Sequence, residues 1–431
     1  MISESVGVNS EGHLTCGGAD CVELAKEYGT PLYVFDEGLI RKTCAEFKAS
    51  IDEFYGGNGK VLFASKAFSC KEMYRIVKSE NLGADVVSGG ELYTALSAGF
   101  DPHDIFFHGN NKTDSEIEYA LKSGVGRLVV DNMTELETIE RIAASLGVNA
   151  HIILRVKPGV DAHTHNYIRT GQIDSKFGFA LENGEAMEAA LKAVRYSNIT
   201  LKGFHCHIGS QIFDTAPFCD TAAIMVQFMS DFREKSGVTV SELNLGGGFG
   251  VKYLETDGAL PFKLFMEKVS VALKDKAKEL EYPIPKIFIE PGRSIVGPAG
   301  VTLYTVGNIK TIKDVRTYVS IDGGMGDNPR YALYQADYDI EIANKAGQPK
   351  DYIATVAGKC CESGDLIQEH APMQTPEVGD IMAVLTTGAY NYSMASNYNR
   401  IPRPAAVMVH NGESRVIIRR ETYEDIVRND I

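Results

Sequence analysis

Val61-Leu-Phe-Ala-Ser-Lys66 is a short apolar run that ends in a serine and a lysine. It is the first of eight similar β-branched or aromatic runs, at 61–65, 84–88, 105–109, 127–132, 151–156, 201–209, 242–248 and 287–293. Longer amphipathic stretches separate them. Asn132-Met-Thr-Glu-Leu-Glu-Thr-Ile-Glu-Arg-Ile-Ala-Ala, for example, repeats apolar residues at three and four, with a Thr and a Glu near its start suited to capping. Alternation of this kind reads as βα units and a parallel sheet. Such crossovers are right-handed, and eight in succession close into a (β/α)8 TIM-type barrel with its active site at the C-terminal ends of the strands. The expected barrel domain spans 37–295.

Beyond it the strand-like runs follow one another without long helices, at 301–306, 318–321, 352–356, 381–385 and 406–420. The last is interrupted by His410-Asn-Gly-Glu, whose Asn-Gly is a hairpin signal. The segment 30–36, TPLYVFD, also reads as a strand. We therefore expect a second, mostly-β domain made of 1–36 plus 296–431.

Composition narrows the function. With 44% hydrophobic and 23% charged residues the 431-residue chain is of ordinary globular make-up, which excludes a disordered, collagen-like or coiled-coil chain. The net charge is −14 and no basic block occurs, so no nucleic-acid partner is expected. Apolar runs such as 125–130 and 150–156 are far shorter than the roughly 20 residues of a membrane span. No membrane association is expected. Met1-Ile-Ser-Glu-Ser shows neither a basic nor an apolar signal region, so the expected location is cytoplasmic. The eight cysteines contain no CxxC pair, which favours reduced thiols over a disulfide framework or a zinc knuckle.

The candidate chemistry lies at the strand ends. A lysine leaving an apolar strand, Lys66, is expected to be partly desolvated, which lowers its pKa and suits it to form a Schiff base; the competing reading is a lysine that snorkels to solvent. Gly246, Gly247 and Gly248, after the seventh strand, could close backbone N–H groups around a phosphate, although tight turns use the same residues. The eighth strand ends in Glu290-Pro-Gly-Arg293, an acid and a base at the barrel mouth. His205 and His207 are expected on one face, with Cys206 on the other. No third ligand at suitable spacing accompanies them, so no metal is expected. A strand-end lysine, a glycine cup, a carboxylate and an imidazole together describe a pyridoxal 5′-phosphate site.

Seven motifs in order carry a family resemblance: FASKAF (63–68), GADVVSGGEL (83–92), HCHIGSQI (205–212), NLGGGFG (244–250), EPGRSIVG (290–297), CESGD (361–365) and GAYNYSMASNYN (388–399). The chain resembles the fold-type III pyridoxal-phosphate decarboxylases, and within them the branch that turns meso-diaminopimelate into L-lysine. The resemblance implies Lys66 as the Schiff-base lysine, His207 stacked on the pyridine ring, and Ser210 with Gly246–Gly248 at the phosphate. It places Glu290 on the ring nitrogen, with Gly292, Arg293 and Tyr390 also at the cofactor. A carboxylate on that nitrogen strengthens the electron sink; related alanine racemases carry an arginine there.

Arg293, Arg330, Tyr334, Glu362 and Tyr390 are implied around the substrate, where an arginine suits a distal carboxylate. For Arg330 alone the competing reading is a surface salt bridge. Cys361 is implied as the proton donor to the substrate carbon, with Cys360 an inert neighbour. In the family Cys361 and Glu362 come from the second subunit, which implies a homodimer with shared sites. Asp85, Ser88 and Arg155 are secondary candidates for orienting Lys66 or the cofactor, with a structural salt bridge between strands as the competing reading of Asp85 and Arg155. Decarboxylation of ornithine, arginine or carboxynorspermidine, a regulatory homologue and a zinc hydrolase remain as alternatives.

Overall fold

The structure, a computed structural model, describes residues 2–160 and 175–431. It divides into two compact units, Thr43–Gly250 with Ala259–Gly292, and Met1–Lys42 with Val251–Gly258 and Arg293–Ile431.

In the first unit eight parallel strands close a barrel in the order Gly59–Ala64, Gly83–Val86, Ile105–Phe107, Arg127–Val130, Ala150–Lys157, Ile199–His205, Glu242–Asn244 and Lys286–Ile289. Closure is the pairing of Ile287, Phe288 and Ile289 with Gly59, Lys60 and Val61. Six of the eight strands stop two to four residues before the expected end. Ladder pairing gives out there, and the motif residues occupy the loops that follow. The helix over 132–144 is Met133–Leu146; its cap is Asn132 itself, whose side chain accepts the Glu135 N–H, and not the threonine the sequence suggested. Gly147 ends it at φ 65°.

The barrel interior is layered. Leu62, Phe106, Val129, Ile153 and Phe288 form one buried apolar cluster, with the Phe106 and Phe288 rings 4.8 Å apart. One inward step toward the strand N-termini, Arg127 meets Glu242 across the barrel, Nε to Oε2 at 2.7 Å and Nη2 to Oε1 at 2.5 Å. This bidentate pair seals the bottom.

The second unit is built on a seven-strand path, Leu366–Met373, Tyr352–Ala357, Arg316–Ile321, Gly300–Ile312, Leu32–Asp36, Ala405–His410 and Glu413–Ile418. Leu32–Asp36 pairs with both Gly300–Ile312 and Ala405–His410, so the early strand belongs to this sheet as expected. The run 406–420 is two antiparallel strands, Ala405–His410 and Glu413–Ile418, turned by Asn411 (φ 52°) and Gly412 (φ 83°) as its hairpin signal predicts. Leu366–Met373 was not anticipated; it carries Pro372 and polar residues, and it lies at the sheet edge, where a proline costs no ladder bond.

Candidate active site

Period-two alternation lifts a polar layer above the apolar one. His108, Asp131, Arg155 and Glu290 each follow a cluster residue by two positions, after Phe106, Val129, Ile153 and Phe288. His205 and Asn244 stand at the ends of their strands. Lys66 follows Leu62 by four, in the short turn Ser65–Ala67.

Glu290 is the hub of this layer. Its Oε1 accepts hydrogen bonds from His108 Nε2 and Asn244 Nδ2, both at 2.7 Å, and its Oε2 accepts from His205 Nε2 at 3.1 Å. Burial alone would favour the neutral acid, but His108 and His205 outweigh it and hold the carboxyl well below the usual range. His205 is driven to about 4, by burial first, so it donates as a neutral ring. Its Nδ1 is buried without a hydrogen bond among the described residues.

The Lys66 side chain is exposed, in the short turn Ser65–Ala67 that follows the first strand at the barrel mouth. Asp85 is fully buried and raised to about 6, chiefly by burial, and its Oδ1 has no hydrogen bond among the described residues. The Asp85–Arg155 bridge does not form. Arg155 lies instead 4.0 Å from Asp131 Oδ1, stacked 4.3 Å over the Phe177 ring. Ser88 caps the next helix, accepting the Glu91 N–H.

His205 and His207 serve different partners. His207 Nδ1 accepts the Gly247 N–H at 3.3 Å, and burial with the Lys66 and Arg155 charges keeps its ring neutral. The Gly246 N–H donates to Asn244 Oδ1 at 2.9 Å, which leaves Gly248 as the glycine of the three whose N–H makes no hydrogen bond among the described residues. Close packing also demands these glycines: a Cβ on Gly247 would lie 2.1 Å from Glu290 O, and one on Gly248 2.4 Å from Gly209 O. Ser210 is half-buried in the bend after the sixth strand. Gly292 packs where a Cβ would lie 2.8 Å from Ala64 Cβ.

In the second unit three of the five implied substrate residues, Arg293, Arg330 and Tyr390, stand in a ladder of rings and guanidiniums with Tyr253 and Tyr338. Arg293 lies 4.6 Å over Tyr390, and its Nη1 donates to Tyr253 Oη at 2.5 Å. Arg330 lies 3.6 Å over the Tyr253 ring and 5.0 Å over that of Tyr338. Arg330 makes no ion pair among the described residues, so the salt-bridge reading is set aside. Tyr253 and Tyr338 were missed because neither belongs to a motif. Tyr334 is half-buried on the helix Arg330–Tyr334.

Cys361 and Glu362 are exposed, on a turn drawn together by Asp365, whose Oδ2 accepts the Cys360 N–H at 2.6 Å. The Cys361 N–H donates to Asn399 Oδ1 at 2.7 Å. Burial and the Asp365 carboxylate push the Cys360 thiol to about 11, which suits an inert neighbour.

The family described as pyridoxal-dependent decarboxylase, pyridoxal binding domain, matches residues 37–297. The diaminopimelate decarboxylase of Bacillus subtilis is 49% identical, covering 98% of this chain and 96% of its own. That of Staphylococcus aureus is 45% identical over 99% of both. The chain belongs to the diaminopimelate decarboxylase family. A crystal structure of the M. jannaschii family member in complex with L-lysine superposes with a TM-score of 0.90 at 33% identity, covering 100% of this chain and 98% of that one.

Diaminopimelate decarboxylases depend on pyridoxal phosphate, and the barrel residues fit it. A carboxylate offers about four acceptor sites, of which Glu290 uses three; the remaining one, on Oε2, suits a protonated ring nitrogen. Lys66 Nζ has no ion pair among the described residues and can meet a carbonyl carbon. Asp85 Oδ1 and His205 Nδ1 are buried polar atoms without a hydrogen bond among the described residues, as expected where a polar ligand completes the site. His108 and Asn244 were not singled out in the sequence. A histidine two positions past an inward phenylalanine was the available signal for the first, and the asparagine of NLGGGFG for the second.

Proposed function

We propose that this chain decarboxylates meso-2,6-diaminopimelate at its D-configured carbon, releasing CO2 and L-lysine, the last step of lysine biosynthesis. The buried, ionised Glu290 carries the reading, since a carboxylate at that position favours decarboxylation over racemisation. Bound pyridoxal phosphate supplies an acceptor for the electron pair left when the C–CO2 bond breaks. Lys66 would hold it through Nζ, His207 would lie against its ring as a neutral imidazole, and the Glu290 carboxylate would favour a protonated ring nitrogen. Ser210, the Gly246–Gly248 loop, Gly292, Arg293 and Tyr390 complete the cofactor's surroundings.

Arg293, Arg330 and Tyr334 bind the distal end of the substrate, whose carboxylate matches the Arg330 guanidinium, which makes no ion pair among the described residues. Cys361 returns a proton from Sγ to the reacting carbon, and Glu362 pairs with the distal amine. Both side chains are exposed in the isolated chain, which supports their acting in a homodimer whose partner site they complete. A cytoplasmic location accords with the eight cysteines, which form no disulfide among the described residues.

The test is CO2 and lysine formation from meso-diaminopimelate by the pyridoxal-phosphate-loaded protein and by Lys66→Ala. The variant should lose the bound-cofactor absorbance and nearly all turnover. Substantial turnover by the variant would remove Lys66 from its role.

A further inference from the structure

Tyr253 is a buried residue between two cations, and its surroundings hold it rigidly. Asp257 Oδ2 accepts the N–H groups of Tyr253 at 2.8 Å and of Leu254 at 3.0 Å, closing the loop Val251–Gly258 around its own carboxylate. The Tyr338 ring meets that of Tyr253 edge-on at 5.7 Å. Backbone and ring are thus both fixed before any ligand binds.

The same tyrosine engages both arginines, and by different means. Its hydroxyl oxygen accepts from Arg293 Nη1 at 2.5 Å, while its π face carries the Arg330 guanidinium at 3.6 Å. Two like charges this close to one ring would separate unless something held them. Hydroxyl oxygen and ring quadrupole provide that hold. The phenol responds accordingly: burial alone would raise its pKa, and the two guanidiniums outweigh burial and lower it.

Arg330 also has donors to spare. Its Nη1 donates to the carbonyls of Asp337 at 3.1 Å and Ala336 at 3.4 Å, whereas Nε and Nη2 make no hydrogen bond among the described residues. That edge of a guanidinium pairs bidentately with a carboxylate.

We infer that Tyr253 is a specificity-determining positioning residue, which fixes Arg293 and Arg330 as one preorganised receptor for the substrate's distal carboxylate. The inference rests on the proposed diaminopimelate reading. A tyrosine serving only to pack would place its hydroxyl on backbone or water, not on one of two guanidiniums. Holding the cations in place beforehand removes an ordering cost that binding would otherwise carry.

D-Lysine is the matching probe, because it is meso-diaminopimelate without the distal carboxylate. The experiment measures KM and kcat for meso-diaminopimelate and the competitive inhibition constant of D-lysine, on wild type, Tyr253→Phe, Tyr253→Leu and Arg330→Ala, each fully loaded with cofactor. Tyr253→Phe keeps the ring and removes the hydroxyl. It should raise KM about tenfold, as expected for a lost hydrogen bond to a charged group, with kcat and the D-lysine constant within about twofold. Tyr253→Leu, which also removes the π face, should raise KM further. Unchanged KM in both tyrosine variants, or equal weakening of diaminopimelate and D-lysine, overturns the role of Tyr253. If Arg330→Ala weakens the two compounds equally, the distal-carboxylate reading itself fails and the inference falls with it.

Discussion

His108 Nε2 lies 2.7 Å from Glu290 Oε1, although 182 residues separate them in the chain. The contact joins the third barrel strand to the eighth and pins a buried carboxylate in its charged form. Glu290→Gln keeps the shape and removes the charge, so the ring nitrogen loses its counter-charge. We expect kcat to fall by about 10²-fold or more with cofactor still bound, since preorganised charge at a reacting system is worth that much. Retention of full kcat would move the electron-sink role elsewhere.

The same cluster ties stability to pH. The His205 pKa is lowered from its unfolded value of 6.5 to about 4. Between those values the unfolded chain binds a proton that the folded chain does not, so the histidine's contribution is fully present above 6.5 and is lost as pH falls toward 4. His205→Gln should flatten this part of the stability curve, by at most about 3 kcal/mol. Denaturant titrations at pH 7 and pH 5 measure it, and identical pH slopes for the two proteins would refute the assignment.

The turn bearing Cys361 yields a kinetic prediction. Asn399 Oδ1 takes the Cys361 N–H at 2.7 Å from a left-handed residue (φ 52°), a conformation asparagine adopts more readily than most. Cys361→Ala should retain cofactor and lose turnover. Asn399→Ala, which loosens the thiol without removing it, should lower kcat about tenfold and leave KM nearly unchanged. A fully active Cys361→Ala would hand the proton to another group.

Barrel stability is concentrated in the apolar layer. Phe106 is buried and packs 4.8 Å from Phe288, so Phe106→Ala opens a cavity in the middle of the barrel. The expected cost is about 3–5 kcal/mol, read from the denaturation midpoint. A loss below about 1 kcal/mol would mean that the layer collapses to fill the gap.

Much of this was legible because alternation is a local signal. Phe106, Val129, Ile153 and Phe288 declare inward positions, and the residue two further on is thereby aimed at the barrel mouth. His108 was overlooked because its partner is 182 residues away, and no spacing reports a contact of that range. The Asp85–Arg155 bridge failed for a related reason: their strands are not neighbours in the barrel, whereas the pairing of Val130 with Leu154 sets Arg155 beside Asp131. Tyr253 was illegible altogether. Its importance comes from the loop Val251–Gly258 joining the second unit, where Arg293 and Arg330 reside. The exposure of Lys66 depends on a single short turn, which the pattern of the preceding strand does not encode.

The most direct test of the central claim is a comparison of kcat/KM for meso-diaminopimelate, ornithine, arginine and carboxynorspermidine on the pyridoxal-phosphate-loaded protein, with amine products identified by mass spectrometry. The distal arginines predict lysine from diaminopimelate and at least about 10³-fold lower turnover of the three others. Comparable turnover of any substrate lacking a distal carboxylate would contradict that account.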